Sequence, residues 1–113
     1  MDCLFCKIAR GEIPATLHYQ DDKVVAFSDI NPQAPVHLLI VPHQHISTIN
    51  EVNEANSLLV GHMVMVATQL AKELKIHENG YRLVMNCNSD GGQAVYHIHC
   101  HLLGGRQMSW PPG

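Results

Sequence analysis

A chain of 113 residues holds one domain, residues 1–113, with a real core, and excludes two independently folded ones. With 46 % apolar and 15 % charged residues, it is globular and not a solvated, disordered segment. A net charge of −3 with seven basic residues excludes nonspecific binding along a nucleic-acid backbone, though not capture of a single nucleotide. No run approaches the ~18 apolar residues of a membrane span, so no membrane partner is expected. The start, MDCLFCKIARGEIP, lacks the basic, apolar and small-residue regions of a secretory signal. The expected compartment is the cytoplasm, with the nucleus also compatible. In that reducing setting the four cysteines are not read as a disulfide framework.

In chain order, residues 3–10 predict a short helix. Asp2 is a good N-cap, Leu4, Phe5 and Ile8 share a face, and Gly11 ends the pattern. Strands are predicted over 17–20 and 24–30, joined by a tight turn at Asp21-Asp22-Lys23. Residues 31–35 carry two prolines and form a loop, and 37–41 is a buried strand closed by Pro42. Over 54–74 the apolar residues Leu59, Met63, Val66, Leu70 and Leu74 recur at spacings of three and four, which predicts one long amphipathic helix. Strands over 81–86 and 95–103 flank a turn at Ser89-Asp90-Gly91-Gly92. These elements predict an α+β fold, an antiparallel sheet with the long helix on one face.

The last strand carries the strongest chemical signal. His97, His99 and His101 alternate with Ile98, Cys100 and Leu102, so a period of two sends three imidazoles to one face and the apolar residues to the core. Three adjacent imidazoles make a costly sheet surface. A solvated polar face and a zinc site using part of the row remain alternatives. Covalent transfer of a phosphoryl or nucleotidyl group suits the row best, because a neutral imidazole is nucleophilic at pH 7 and its bond to phosphorus is labile to water. The middle ring, His99, would attack, with its far nitrogen protonated against an acceptor such as a backbone carbonyl. His101 would bond phosphate oxygens or protonate the departing group.

The run HIHCHLL at 97–103, with FCKIARGEIP, FSDINPQAPVHLLIVP, YRLVMN, SDGGQ and LLGGRQMSWPPG, resembles the histidine triad superfamily, and its Hint branch in particular, over essentially the whole chain. The resemblance implies a five-stranded antiparallel sheet continued across a homodimer. It implies purine nucleoside phosphoramidase activity, a hydrolase reaction on P–N bonds that releases AMP or GMP. Its ligands would be a purine nucleoside monophosphate and its phosphoramidate or acyl-adenylate conjugates. A dinucleoside polyphosphate hydrolase and a nucleotide-binding scaffold with little turnover are the competing readings.

Carried over by motif, His99 is the nucleophile and His101 the phosphate and leaving-group histidine. His97 is the first triad member, whose carbonyl orients His99, and His37 completes the relay. Asp29 takes the ribose hydroxyls. Asn86 and Gln93 lie near sugar and phosphate, Phe5, Ile8, Phe27 and Ile30 form apolar walls for the purine, and Trp110 reaches toward the partner subunit's site. Ala94 stands where relatives often carry a serine. The CxxC pair Cys3 and Cys6 can share one metal ion; the resemblance extends the set to His45 and His97 as a structural zinc site, beside the alternative of free thiols. The chemistry itself requires no cofactor. Cys87 and Cys100 read as core, and His18, His62 and His77 have no partner visible in the sequence.

Overall fold

Side chains along the central strands alternate between two apolar sets, and that alternation gives the sheet two faces to cover. The computed structural model describes residues 3–113. Five strands, β1 (Leu17–Gln20), β2 (Val24–Ser28), β3 (Val36–Pro42), β4 (Tyr81–Val84) and β5 (Cys100–Gly104), form one antiparallel sheet in the order β1-β2-β3-β5-β4. A short helix, α1 (Leu4–Ala9), precedes the sheet, and a long one, α2 (Ser57–Glu73), lies between β3 and β4 in sequence. The α+β class and the element count agree with the sequence reading.

On one face, Met63, Val66 and Leu70 of α2 pack with Leu38, Ile40, Ile98, Cys100 and Leu102 in a single buried cluster. Removing each of these side chains from water contributes ~1.5–3 kcal/mol, which is what seats α2 on β3 and β5. On the other face, Phe5 and Ala9 of α1 join Val25, Phe27, Leu39 and Val41. A helix of six residues covers only part of a sheet face, and the functional cavity lies beside it. In the β3–β5 register His101 is opposite Leu39, so it stands on the α1 face.

Several boundaries differ from expectation, each for a local reason. The expected cap, Asp2, lies outside the described residues; Cys3 is the N-cap of α1, its Sγ accepting from the Cys6 backbone N–H. Helix α2 begins at Ser57 and not at 54, because the side chains of Asn53 and Asn56 bond the backbone N–H groups of Ala55 and Asn53 and hold a turn there. Strand β2 stops at Ser28, where the Asp29 carboxylate accepts from the Asn31 N–H. Strand β4 ends at Val84, short of Asn86. The final strand starts at Cys100 and not at 95: Ile98 donates its N–H to Ile46 O at 2.8 Å, so the approach segment is tied to a loop instead of the sheet. Among the described residues no helix is long and apolar enough to cross a membrane.

Candidate active site

His99 stands one residue before β5 and is 8 % exposed. Its Nδ1 lies 2.8 Å from the carbonyl oxygen of His97. A carbonyl can only accept, so Nδ1 carries the proton and Nε2 keeps its lone pair. The Phe5 ring meets His99 edge to face, with centroids 5.0 Å apart and an interplanar angle of 90°. Burial holds the His99 pKa below the ordinary histidine value, against the opposing pull of the His97 carbonyl and the Asp29 charge. At neutral pH the ring is an uncharged nucleophile of fixed tautomer.

The tautomer of His101 follows from a chain of bonds that begins in the backbone. Gln33 N–H donates to His37 Nδ1 at 3.0 Å, which leaves the proton of His37 on Nε2. That nitrogen lies 2.9 Å from His101 Nδ1, the shorter of its two contacts, since Asp29 Oδ2 is at 3.4 Å. His37 therefore donates to His101, whose own proton is placed on Nε2. His101 Nε2 is the buried side-chain polar atom that has no partner among the described residues. His99 and His101 are neighbours, centroids 4.9 Å apart. Burial pushes the His101 pKa down to about 4, reinforced by His99 and His37 and opposed by Asp29. Burial lowers His37 as well, with Asp29 again opposing.

Both rings open onto a cavity of about 850 Å³ that is also lined by Asp29, Phe5, Ile8, Phe27 and Ile30, as the sequence reading expected. Ala94 is a further wall. His37 is not in the lining; it stands behind His101. Two expected nucleotide residues, Gln93 and Asn86, are placed differently. Gln93 is buried and its amide is fully engaged, Nε2 donating to Ser47 O and Val95 O and Oε1 accepting from Asn88 N–H, so it braces the loop instead of offering a free donor. Asn86 is absent from the lining, and Trp110, expected at the partner subunit's site, lies outside this cavity and is 82 % exposed. The bracing of Gln93 goes with a close turn, for a Cβ on Gly91 would meet Cys87 O at 2.5 Å.

The first triad histidine points elsewhere. His97 is fully buried, and its Nε2 donates to Pro42 O at 2.8 Å, which leaves the Nδ1 lone pair facing Cys3, Cys6 and His45. His97 Nδ1 is 3.4 Å from Cys3 Sγ, 3.5 Å from Cys6 Sγ and 3.1 Å from His45 Nδ1, and Cys6 Sγ is 3.4 Å from His45 Nδ1. Zinc bonds of about 2.0–2.3 Å to nitrogen and sulfur place tetrahedral donors roughly 3.3–3.8 Å apart. The three sulfur–nitrogen distances meet this and the His45–His97 distance falls slightly short, so this Cys2His2 set fits the ion after a small outward shift of one imidazole. Burial and the neighbouring Cys3 raise the Cys6 pKa, so a cation is what would hold it as thiolate. Asp29, His37 and His101 also bring donor atoms together, but the proton between the two rings accounts for that group.

Some functional parts left no mark in the sequence. The segment from Ile13 to Thr16 lines the cavity, although only Pro14 stood out there, as the exit from a helix. The Gln33 N–H and the Pro42 carbonyl are backbone groups that no particular side chain announces. Two histidines without visible partners have them: His62 Nε2 lies 2.7 Å from Asp21 Oδ2, tying α2 to the first hairpin, and His18 Nε2 is 2.8 Å from Ser28 Oγ. Cys100 is buried as expected, and burial pushes its thiol up to about 11.

Comparison with known proteins gives consistent similarities. Residues 2–110 match the family described as "Scavenger mRNA decapping enzyme C-term binding". The chain is 52 % identical over 107 residues to the purine nucleoside phosphoramidase of Escherichia coli (strain K12), covering 95 % of this chain and 90 % of that protein. A HIT family hydrolase from Legionella pneumophila Philadelphia 1 superimposes with a TM-score of 0.97 at 61 % identity, covering 99 % of this chain and all of that one. A histidine triad protein from Clostridium difficile gives 0.94 at 46 % identity, over 96 % and 95 % of the two chains.

The low His101 pKa has a direct readout. Because the folded value is about 4 against an ordinary 6.5, the unfolded chain binds the extra proton first, and this ring weakens the fold as pH falls through that window. Heteronuclear NMR of the imidazole resonances should give a His101 midpoint near 4 with Nε2 protonated at neutral pH; a midpoint above 6 contradicts the burial argument.

Proposed function

We propose that this chain, which belongs to the histidine triad superfamily, hydrolyses the P–N bond of purine nucleoside phosphoramidates and releases AMP or GMP by way of a nucleotidyl-histidine on His99. The observation that carries this reading is the pairing of a free His99 Nε2 lone pair with an unpartnered His101 N–H beside one cavity.

With its nitrogen protonated by solvent, the phosphoramidate loses its amine as His99 Nε2 attacks phosphorus, while neutral His101 donates its Nε2–H as a hydrogen bond to a phosphate oxygen. The adduct leaves a positive imidazole whose Nδ1–H is held by the His97 carbonyl. Water then displaces His99 from phosphorus and gives its proton to solvent, which returns His99 to its neutral form with the Nε2 lone pair restored. His37 keeps His101 in the tautomer that donates to phosphate. Asp29 at the cavity wall accepts the ribose hydroxyls, and Phe5, Ile8, Phe27 and Ile30 hold the purine between apolar surfaces. Cys3, Cys6, His45 and His97 would hold zinc, which when bound staples α1 to the segment leading into β5.

The working unit in this reading is a homodimer. Strand β4 is an edge of the sheet, and pairing with β4 of a second copy would continue the sheet and remove that edge. The exposed Trp110 tail is then available to the second copy's site. None of the four cysteines is in a disulfide, which suits the cytoplasm.

His99→Ala is expected to lower turnover of adenosine phosphoramidate by about 10⁴-fold or more while AMP affinity changes by less than roughly ten-fold; parental turnover would remove His99 as nucleophile. A dinucleoside polyphosphate assayed alongside should be the poorer substrate, and the reverse order would favour the polyphosphate-hydrolase reading. Asp29→Ala should weaken AMP by about 10–100-fold, the loss of charge-assisted hydrogen bonds, and dAMP by clearly less. Equal losses would take Asp29 out of the sugar site. Light scattering should give twice the chain mass; a monomer at micromolar concentration contradicts the dimer.

A further inference from the structure

His97 is the one residue that belongs to both the metal cluster and the nucleophile. Its Nδ1 faces Cys3, Cys6 and His45, its Nε2–H is bonded to Pro42 O, and its carbonyl oxygen receives the Nδ1 proton of His99. We propose that the Cys3, Cys6, His45 and His97 cluster is a positioning device for catalysis: the metal it holds and the orientation of His99 are coupled through His97. The proposal rests on the zinc and nucleotide readings given above and goes beyond a metal that merely stabilises the fold.

The geometry supplies two routes. Along the first, the buried His97 ring is held at both ends, by the Pro42 carbonyl and by the cluster, so its backbone, and with it the carbonyl that orients His99, has little freedom. Without the ion one end is tied only by weak thiol and imidazole contacts. Along the second, Phe5 sits between the two cysteines on α1, packs edge to face on His99 at 5.0 Å, and lies 6.1 Å from His97. The ion that fixes Cys3 and Cys6 therefore also fixes the wall that confines the nucleophile. A displacement of ~1 Å at a reacting atom can cost 10²-fold in rate, so small releases at the cluster reach the chemistry.

Coupling of this kind is reciprocal, and a nucleotide seated against His99 must act back on the metal. Cobalt(II) substituted into the full chain gives a visible spectrum that reports its ligand geometry. Adding AMP to the cobalt protein is expected to shift those bands and to slow cobalt transfer to a chelator by about 5-fold or more. His99→Ala, still binding AMP, should show neither effect. His45→Gln, which keeps three donors, should lower kcat by about 10–100-fold with KM within about two-fold. Bands that stay unchanged while calorimetry shows AMP bound would overturn the coupling and leave the metal and nucleotide readings intact. Absence of cobalt bands would overturn the metal reading and the coupling together, and absence of AMP binding would overturn the nucleotide reading with it. A His45→Gln protein with parental kcat would likewise overturn the coupling.

Discussion

An imidazole can attack phosphorus only while one nitrogen keeps its lone pair, and at His99 the His97 carbonyl, 2.8 Å from Nδ1, secures that state. The same bond aims Nε2 at the cavity and would share the charge that appears on the ring in the proposed bond to phosphorus. A side-chain carboxylate in this place would favour the charged ring before reaction. A carbonyl fixes the tautomer and leaves the ring neutral, while burial keeps its pKa low. Everything else in the site serves or exploits this one contact.

The fold makes the contact by stopping a strand early. Because Ile98 bonds to Ile46 and β5 begins only at Cys100, the backbone at His97 can turn its ring toward α1 while its carbonyl turns toward His99. Ile98, Cys100 and Leu102 anchor the segment under α2, so the catalytic face is backed by the larger of the two cores. On the far side of His101, a second tautomer is set by a second backbone group, the Gln33 N–H acting through His37. Two histidines thus hold opposite roles, one presenting a lone pair and the other a proton. Backbone atoms of two different loops make the difference.

The period-two alternation at 97–102 carried most of what could be read from the sequence, since Ile98, Cys100 and Leu102 do face the helix-covered core. It also placed His97, His99 and His101 on one face, and there the pattern reached its limit. A strand period says nothing of a ring that leaves the row for a different cluster, and His97 does so because Pro42 O and the CxxC pair offer it partners far away in sequence. Asp29, Phe5, Ile8, Phe27 and Ile30 were legible through the family resemblance, and all line the cavity. Gln93 was not, because an amide is equally suited to a phosphate or to three backbone groups, and only the folded loop decides. The lining residues from Ile13 to Thr16 belong to no regular element, so no periodicity announced them.

A covalent intermediate has a stereochemical signature that does not depend on any variant folding correctly. Two successive in-line displacements at phosphorus, first by His99 and then by water, restore the original configuration, whereas direct attack by water inverts it. Hydrolysis of a phosphorus-chiral nucleoside thiophosphoramidate in oxygen-18 water, with the product configuration assigned by phosphorus NMR, distinguishes the two. Net retention is the expected result; net inversion would mean that His99 never bonds to phosphorus.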